Sequence, residues 1–216
     1  WDHFDDVFES KQDALSAVEQ ARTQLLKQSV RASQVEQLML ENRDLRQLLQ
    51  LRERLGSPAM AAEVLYEAAD PFTRKMILDK GALQGVQTSS PVMDEQGILG
   101  QVTRVHPLVS EITLVTDREH SIPVLNTRTG ARGVAFGESG GAPLLELRYM
   151  ATNADIEEGD MLTTSGVDGV YPPGLPVARI DRIERRAESA FARIHCIPLA
   201  LVSGVRHVVV LTPLSS

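Results

Sequence analysis

The sequence predicts a mainly β protein with one long N-terminal α-helix, a coiled-coil helix followed by two small six-stranded β-barrel subdomains. Three observations carry this expectation. Residues 1–55 contain neither glycine nor proline, the two residues that most disfavour a helix interior. Both become frequent after residue 55, where short alternating or β-branched runs replace the helical pattern. Two later stretches, around residues 85–102 and 159–180, resemble each other, each a strand, a glycine turn and a second strand.

A helix over residues 1–55 is about 80 Å long, more than a domain of this size covers along its whole length. It must pair with another helix or stand in solvent. Val18, Leu25, Ala32 and Met39 fall seven residues apart. Ala21, Val35 and Leu49 form the companion row, which also holds the polar Gln28 and Asn42. Near the end the stripe shifts by one place, to Leu45, Leu48 and Leu55, as a stutter or the drift of a straight helix would produce. The predicted self-association seam is therefore Val18, Leu25, Ala32, Val35, Met39, Asn42, Leu45, Leu48 and Leu55. The alternative is one amphipathic helix lying on a neighbouring domain. Gly56-Ser57-Pro58 ends the helix, since glycine accepts a left-handed terminus and proline cannot continue it.

Strands are expected at 62–67, 75–79, 90–93, 98–105, 111–116 and 122–126, then at 132–136, 144–149, 161–164, 175–183, 190–197 and 207–211. Many short strands separated by turn residues suggest barrels or sandwiches. The expected domains are a helical stalk over 1–58, a first barrel over 59–128 and a second over 129–216. The spacing leaves open whether the last strand closes its own barrel or returns to the first.

Composition narrows the chemistry. The net charge is −7, and basic residues are interleaved with acids, as in Glu41-Asn42-Arg43-Asp44. Without a basic cluster to displace counterions, nucleic acid is not an expected partner. The single cysteine, Cys196, excludes an intrachain disulfide and lies in an apolar run that reads as a buried strand. The five histidines show no metal-ligand spacing, so no cofactor or metal is expected. Asp117-Arg118-Glu119-His120 reads as a solvated turn rather than an acid–base site. Ser165, in Thr164-Ser165-Gly166, lacks the Gly-Asp-Ser-Gly-Gly setting of trypsin-like proteases. Gly137-Glu138-Ser139-Gly140-Gly141 lacks the lysine of a phosphate loop and reads as a hairpin. Val170-Tyr171-Pro172-Pro173-Gly174 is a rigid turn whose ring either packs inward or offers a contact.

Several segments jointly resemble the MreC family of bacterial rod-shape-determining proteins. They are Glu41-Asn42-Arg43-Asp44-Leu45-Arg46-Gln47-Leu48-Leu49, Ile77-Leu78-Asp79-Lys80-Gly81 and Gly97-Ile98-Leu99-Gly100-Gln101-Val102. To these add Gly159-Asp160-Met161-Leu162-Thr163-Thr164-Ser165-Gly166 and Tyr171-Pro172-Pro173-Gly174-Leu175-Pro176-Val177. The resemblance covers about residues 35–212. Ser89-Ser90 and Ala178 depart from the usual pattern in turn and packing detail.

The resemblance implies a non-catalytic scaffold of the cell-wall elongation machinery. It implies a bacterial inner-membrane protein with a single upstream membrane span, this portion lying in the periplasm. The implied partners are a second copy of the chain (a homodimer, with filaments as an extension), a class B penicillin-binding transpeptidase, MreD and the MreB–RodA complex. Two other readings stand beside it. A periplasmic adaptor of an efflux or secretion system would need a second long helix within residues 60–216. A trypsin-like hydrolase would need a histidine beside Ser165.

Overall fold

The computed structural model describes residues 2–55, 58–68, 73–138, 142–185 and 191–213; within the helix it describes the side chains of residue 19 and of 22–51. Helix α1 spans Asp2–Leu55. Gly56 and Ser57 of the expected stop lie outside the described residues. The chain divides into two compact units, Trp1–Arg46 and Gln47–Ser216.

Twelve strands follow the helix among the described residues. They are β1 (Ala59–Glu67), β2 (Lys75–Leu78), β3 (Pro91–Met93), β4 (Ile98–Val105), β5 (Ser110–Leu114) and β6 (Ser121–Asn126). Then come β7 (Arg132–Gly137), β8 (Leu145–Arg148), β9 (Met161–Thr164), β10 (Pro176–Glu184), β11 (Arg193–Pro198) and β12 (His207–Leu211). The only other helical element described is a 3-10 turn at Ala82–Gln84; the second long helix of an adaptor is not among the described residues.

The strands close two six-stranded antiparallel barrels, in the orders β1-β12-β3-β4-β5-β2 and β10-β11-β8-β7-β6-β9. The division expected at 128/129 does not match this. β6 pairs with β7 and β9 and belongs to the second barrel, whereas β12 returns to sit between β1 and β3 of the first. The reason is edge availability. β5 already bonds β2 on one side and β4 on the other, leaving no edge for β6. Closing the first barrel requires a strand between β1 and β3, and only the end of the chain supplies it.

The two barrels have the same neighbour pattern. In the second, the meanders β6-β7-β8 and β9-β10-β11 join first strand to first and third to third. In the first, β12-β1-β2 and β3-β4-β5 join the same way. The first barrel is thus a circular permutation of the second, its leading strand supplied by the C-terminal end. The matching strand–turn–strand stretches of the sequence fall on β3-β4 and β9-β10, which correspond in this scheme.

β12 links the cores. Val208 and Val210 point into the first barrel, while Val209 and Leu211 join the second barrel's core. Both faces of the strand are buried, hence its unbroken apolar run. Met93, Ile98 and Val115 join the same shared cluster, as does Leu48 of α1. Glycine allows close approach where the barrels meet. A Cβ at Gly97 would stand 2.8 Å from the Pro176 carbonyl of β10, and one at Gly137 would stand 2.2 Å from the Asp117 carbonyl.

Candidate interaction surfaces

The chain passes between the barrels twice, at 115–120 and 199–206, and a buried aspartate pins each passage. Asp117 accepts hydrogen bonds from the Arg74 N–H at 2.7 Å and the Glu119 N–H at 2.9 Å. Asp94 accepts from Leu201, Gln96 and Gly97 N–H groups at 2.6, 2.8 and 2.9 Å. His120 is also buried, its Nε2 joined to the Tyr171 hydroxyl at 2.9 Å with the rings edge-on. The expected solvated turn is therefore corrected at two of its four positions: Asp117 and His120 are interior, and Arg118 and Glu119 are exposed. A buried carboxylate is tolerated here because backbone N–H groups satisfy it. Burial lowers the His120 pKa to about 4, outweighing the pull of Asp117 and Asp168 in the other direction.

The remaining chemical candidates are interior. Tyr171 packs inward, resolving the open question of its turn, and burial raises its pKa, with Asp168 acting the same way. Cys196 is a free, fully buried thiol pushed up to about 12 by burial. Ser165 Oγ is buried with no hydrogen-bond partner among the described residues, so no base stands ready to activate it. Ser139, Gly140 and Gly141 of the glycine-rich loop lie outside the described residues.

Along the helix, Leu25, Val35 and Met39 are 65, 48 and 68 % exposed, and Ala32, Asn42 and Leu45 are exposed too. The side chains of Val18 and Leu55 lie outside the described residues. Leu48 differs: it is 5 % exposed and sits in the core shared by the barrels, with Leu51 packed beside that core. Its place in the expected seam is corrected, because the barrels already bury it. Within the unit that begins at Gln47, Leu48 and Leu51 face the barrel core while Leu49 between them stays exposed.

The second barrel carries a surface groove of about 480 Å³ lined by Tyr149, Phe191, Ala192 and the charged residues Glu146, Arg148, Glu184 and Arg193. Tyr149 follows β8, and Phe191 is placed by an isolated bridge to Ala151. Both rings are prominent, at 65 and 56 % exposure. Tyr149 has φ +66°, a conformation rare for a residue with a side chain. Its ring lies edge-on to Phe136 at 6.3 Å, and the Arg148 guanidinium stacks 4.5 Å above the Phe136 centroid. Arg148 bonds Glu146 at 2.8 Å and Arg193 reaches the same carboxylate at 3.4 Å. At the edge His195 lies between Glu138 and Glu184, at 3.2 and 3.5 Å. Exposed aromatics with arginines in the same groove are typical of protein-binding hot spots. No local motif marks this groove in the sequence; its only signal is a tyrosine and a phenylalanine at strand margins in a chain poor in aromatics.

The family described as rod shape-determining protein MreC, barrel core, matches residues 64–212. The cell shape-determining protein MreC of Haemophilus influenzae is 36 % identical over 192 residues, covering 89 % of this chain and 54 % of that protein. The chain spans about half the length of the curated relatives it matches first. A crystal structure of MreC from Pseudomonas aeruginosa aligns with a TM-score of 0.70 at 36 % identity, covering 72 % of this chain and 100 % of that one. A chain from the complex between penicillin-binding protein PBP2 and MreC of Helicobacter pylori shares the fold, with a TM-score of 0.55 at 14 % identity, covering 72 % of this chain and 99 % of that one.

Proposed function

The chain belongs to the MreC family of rod shape-determining proteins, and on that premise we propose that it is a non-catalytic periplasmic scaffold of the cell-wall elongation machinery. In this reading it self-associates through α1 and binds a class B penicillin-binding transpeptidase through the groove of the second barrel. The observation that carries the binding step is the pair of exposed rings, Tyr149 and Phe191, on a closed barrel. A closed barrel has no free edge to offer an incoming strand, so recognition falls to side-chain surfaces. The transpeptidase comes from the Helicobacter pylori relative solved with PBP2.

No helix among the described residues is long and apolar enough to cross a membrane. The proposal also includes attachment to the inner membrane by a single upstream span and contact with MreD and the MreB–RodA complex, for which the family resemblance is the support.

Binding of the chain to a purified class B penicillin-binding protein, measured by calorimetry, tests the reading. Tyr149→Ala combined with Phe191→Ala should weaken binding at least ten-fold, about 1.4 kcal/mol or more, with the thermal unfolding midpoint essentially unchanged. Unchanged affinity in that variant would remove the groove from the proposal. No binding by the unaltered chain would remove the scaffold reading itself.

A further inference from the structure

We infer that Phe136 is a positioning residue of the groove: with a bulge in the chain after β8, it holds the Tyr149 ring in its binding conformation before the partner arrives. This rests on the binding proposed above and adds how the Tyr149 ring is set.

The backbone presents the ring. Leu147 of β8 lies opposite Ile194, and Ala151 lies opposite Phe191. From 147 to 151 is four steps and from 191 to 194 is three, so one extra residue bulges between these pairings. The bulge breaks the alternation of inward and outward side chains. Leu147 and Met150 are buried, whereas Arg148 and Tyr149 between them are both exposed. In an unbroken strand Tyr149 would point into the barrel. Instead it takes the left-handed conformation, φ +66°, at a bulge position that suits glycine. On the inner side Met150 occupies the space that Gly133 leaves, for a Cβ at Gly133 would stand 3.1 Å from its sulfur.

Burial does not offset the strain of this tyrosine, because its ring is largely exposed. Strain kept at an exposed aromatic points to a role for the ring in contact with something else. Phe136 fixes that ring from below, edge-on at 6.3 Å. Phe136 stands opposite Glu146 and Val134 stands opposite Arg148, so Phe136 and Arg148 are diagonal neighbours on the outer face. The Arg148 guanidinium covers the Phe136 ring, and Glu146 holds Arg148 in turn. Glu146 thus fixes Arg148, Arg148 fixes Phe136, and Phe136 fixes Tyr149. A ring ordered in advance loses less freedom when the partner docks, which strengthens binding without a new contact.

Affinity for a purified class B penicillin-binding protein, by calorimetry, tests the role. Phe136→Leu keeps an apolar side chain on the barrel wall and removes the ring; it should weaken binding roughly three- to ten-fold. Phe136→Tyr should bind within about two-fold of the unaltered chain. In a Tyr149→Ala background, Phe136→Leu should change affinity by less than about two-fold, because its ring acts through Tyr149. A full loss in that background would place the effect elsewhere and overturn the positioning role. A second measurement needs no partner. Tyr149→Gly should unfold at a higher urea concentration than Tyr149→Ala, yet bind no better. Equal midpoints would overturn the strained bulge. Undiminished binding by Phe136→Leu overturns this inference and leaves the groove standing, whereas no binding by the unaltered chain overturns both.

Discussion

The carboxylate of Asp94 accepts a hydrogen bond from the backbone N–H of Leu201 at 2.6 Å, across 107 residues of sequence. Asp94 lies in the β3–β4 turn of the first barrel, and Leu201 lies in the segment carrying the chain back from the second barrel to β12. The same carboxylate holds its own turn through Gln96 and Gly97. Asp94→Ala leaves three backbone donors without their acceptor. The expected loss is about 2–4 kcal/mol, read as a lower urea midpoint. A loss under about 0.5 kcal/mol would mean that water replaces the carboxylate at little cost.

Because β12 contributes to both cores, the barrels should unfold together. One transition in urea, coincident by far-ultraviolet circular dichroism and by protease susceptibility, is the expected result. Two separated transitions would show that Val209 and Leu211 couple the barrels only weakly.

His120 makes stability depend on acidity, and the sign follows from the direction of its shift. Its folded pKa is lowered to about 4 from an ordinary value of 6.5. Between these values the unfolded chain takes up a proton that the folded chain refuses, so stability falls as pH drops from 6.5 towards 4. The shift corresponds to roughly 3 kcal/mol when complete. His120→Gln keeps a hydrogen-bonding group near Tyr171 and cannot titrate. The variant should therefore lose less stability than the unaltered chain on acidification from pH 7 to 4.5. Parallel pH profiles of the urea midpoint would show that His120 is not the group responsible.

Cys196 should react with a thiol reagent only when the second barrel opens. Its thiol is fully buried and pushed up to about 12, so little thiolate exists at neutral pH. Labelling should be slow in buffer, immediate in concentrated urea, and accelerated by destabilising core variants. Rapid labelling of the folded chain would contradict the burial.

Element type was legible because turn residues and alternation are local signals. The fold class and all twelve expected strand positions have counterparts in the structure. Barrel membership was harder, since alternation shows which face a strand buries but not which strand lies beside it. The run Val208-Val209-Val210-Leu211 held the missing clue: a strand apolar on both faces needs two cores, and one barrel has only one. Asp117 and His120 looked solvated because composition does not reveal backbone donors waiting around a carboxylate. The groove was invisible because Tyr149 and Phe191 come together only through the pairing of β8 with β11 and the adjoining Ala151–Phe191 bridge.

Leu48 and Leu49 are adjacent in sequence and opposite in consequence. Leu48 is buried in the core shared by the barrels, while Leu49 is exposed. Leu48→Ala removes buried methyl groups and leaves a cavity, an expected cost of about 2–4 kcal/mol in the urea unfolding of the barrels. Leu49→Ala removes no core contact, and exposed substitutions of this kind fall within about 0.5 kcal/mol. The expected ordering is therefore a large loss at Leu48 and almost none at Leu49. If Leu48 belonged instead to an intermolecular seam, its substitution would weaken self-association and leave the unfolding midpoint of the dilute chain unchanged. Measuring both variants at low and high protein concentration separates the two roles, because intermolecular stabilisation grows with concentration and packing within one chain does not.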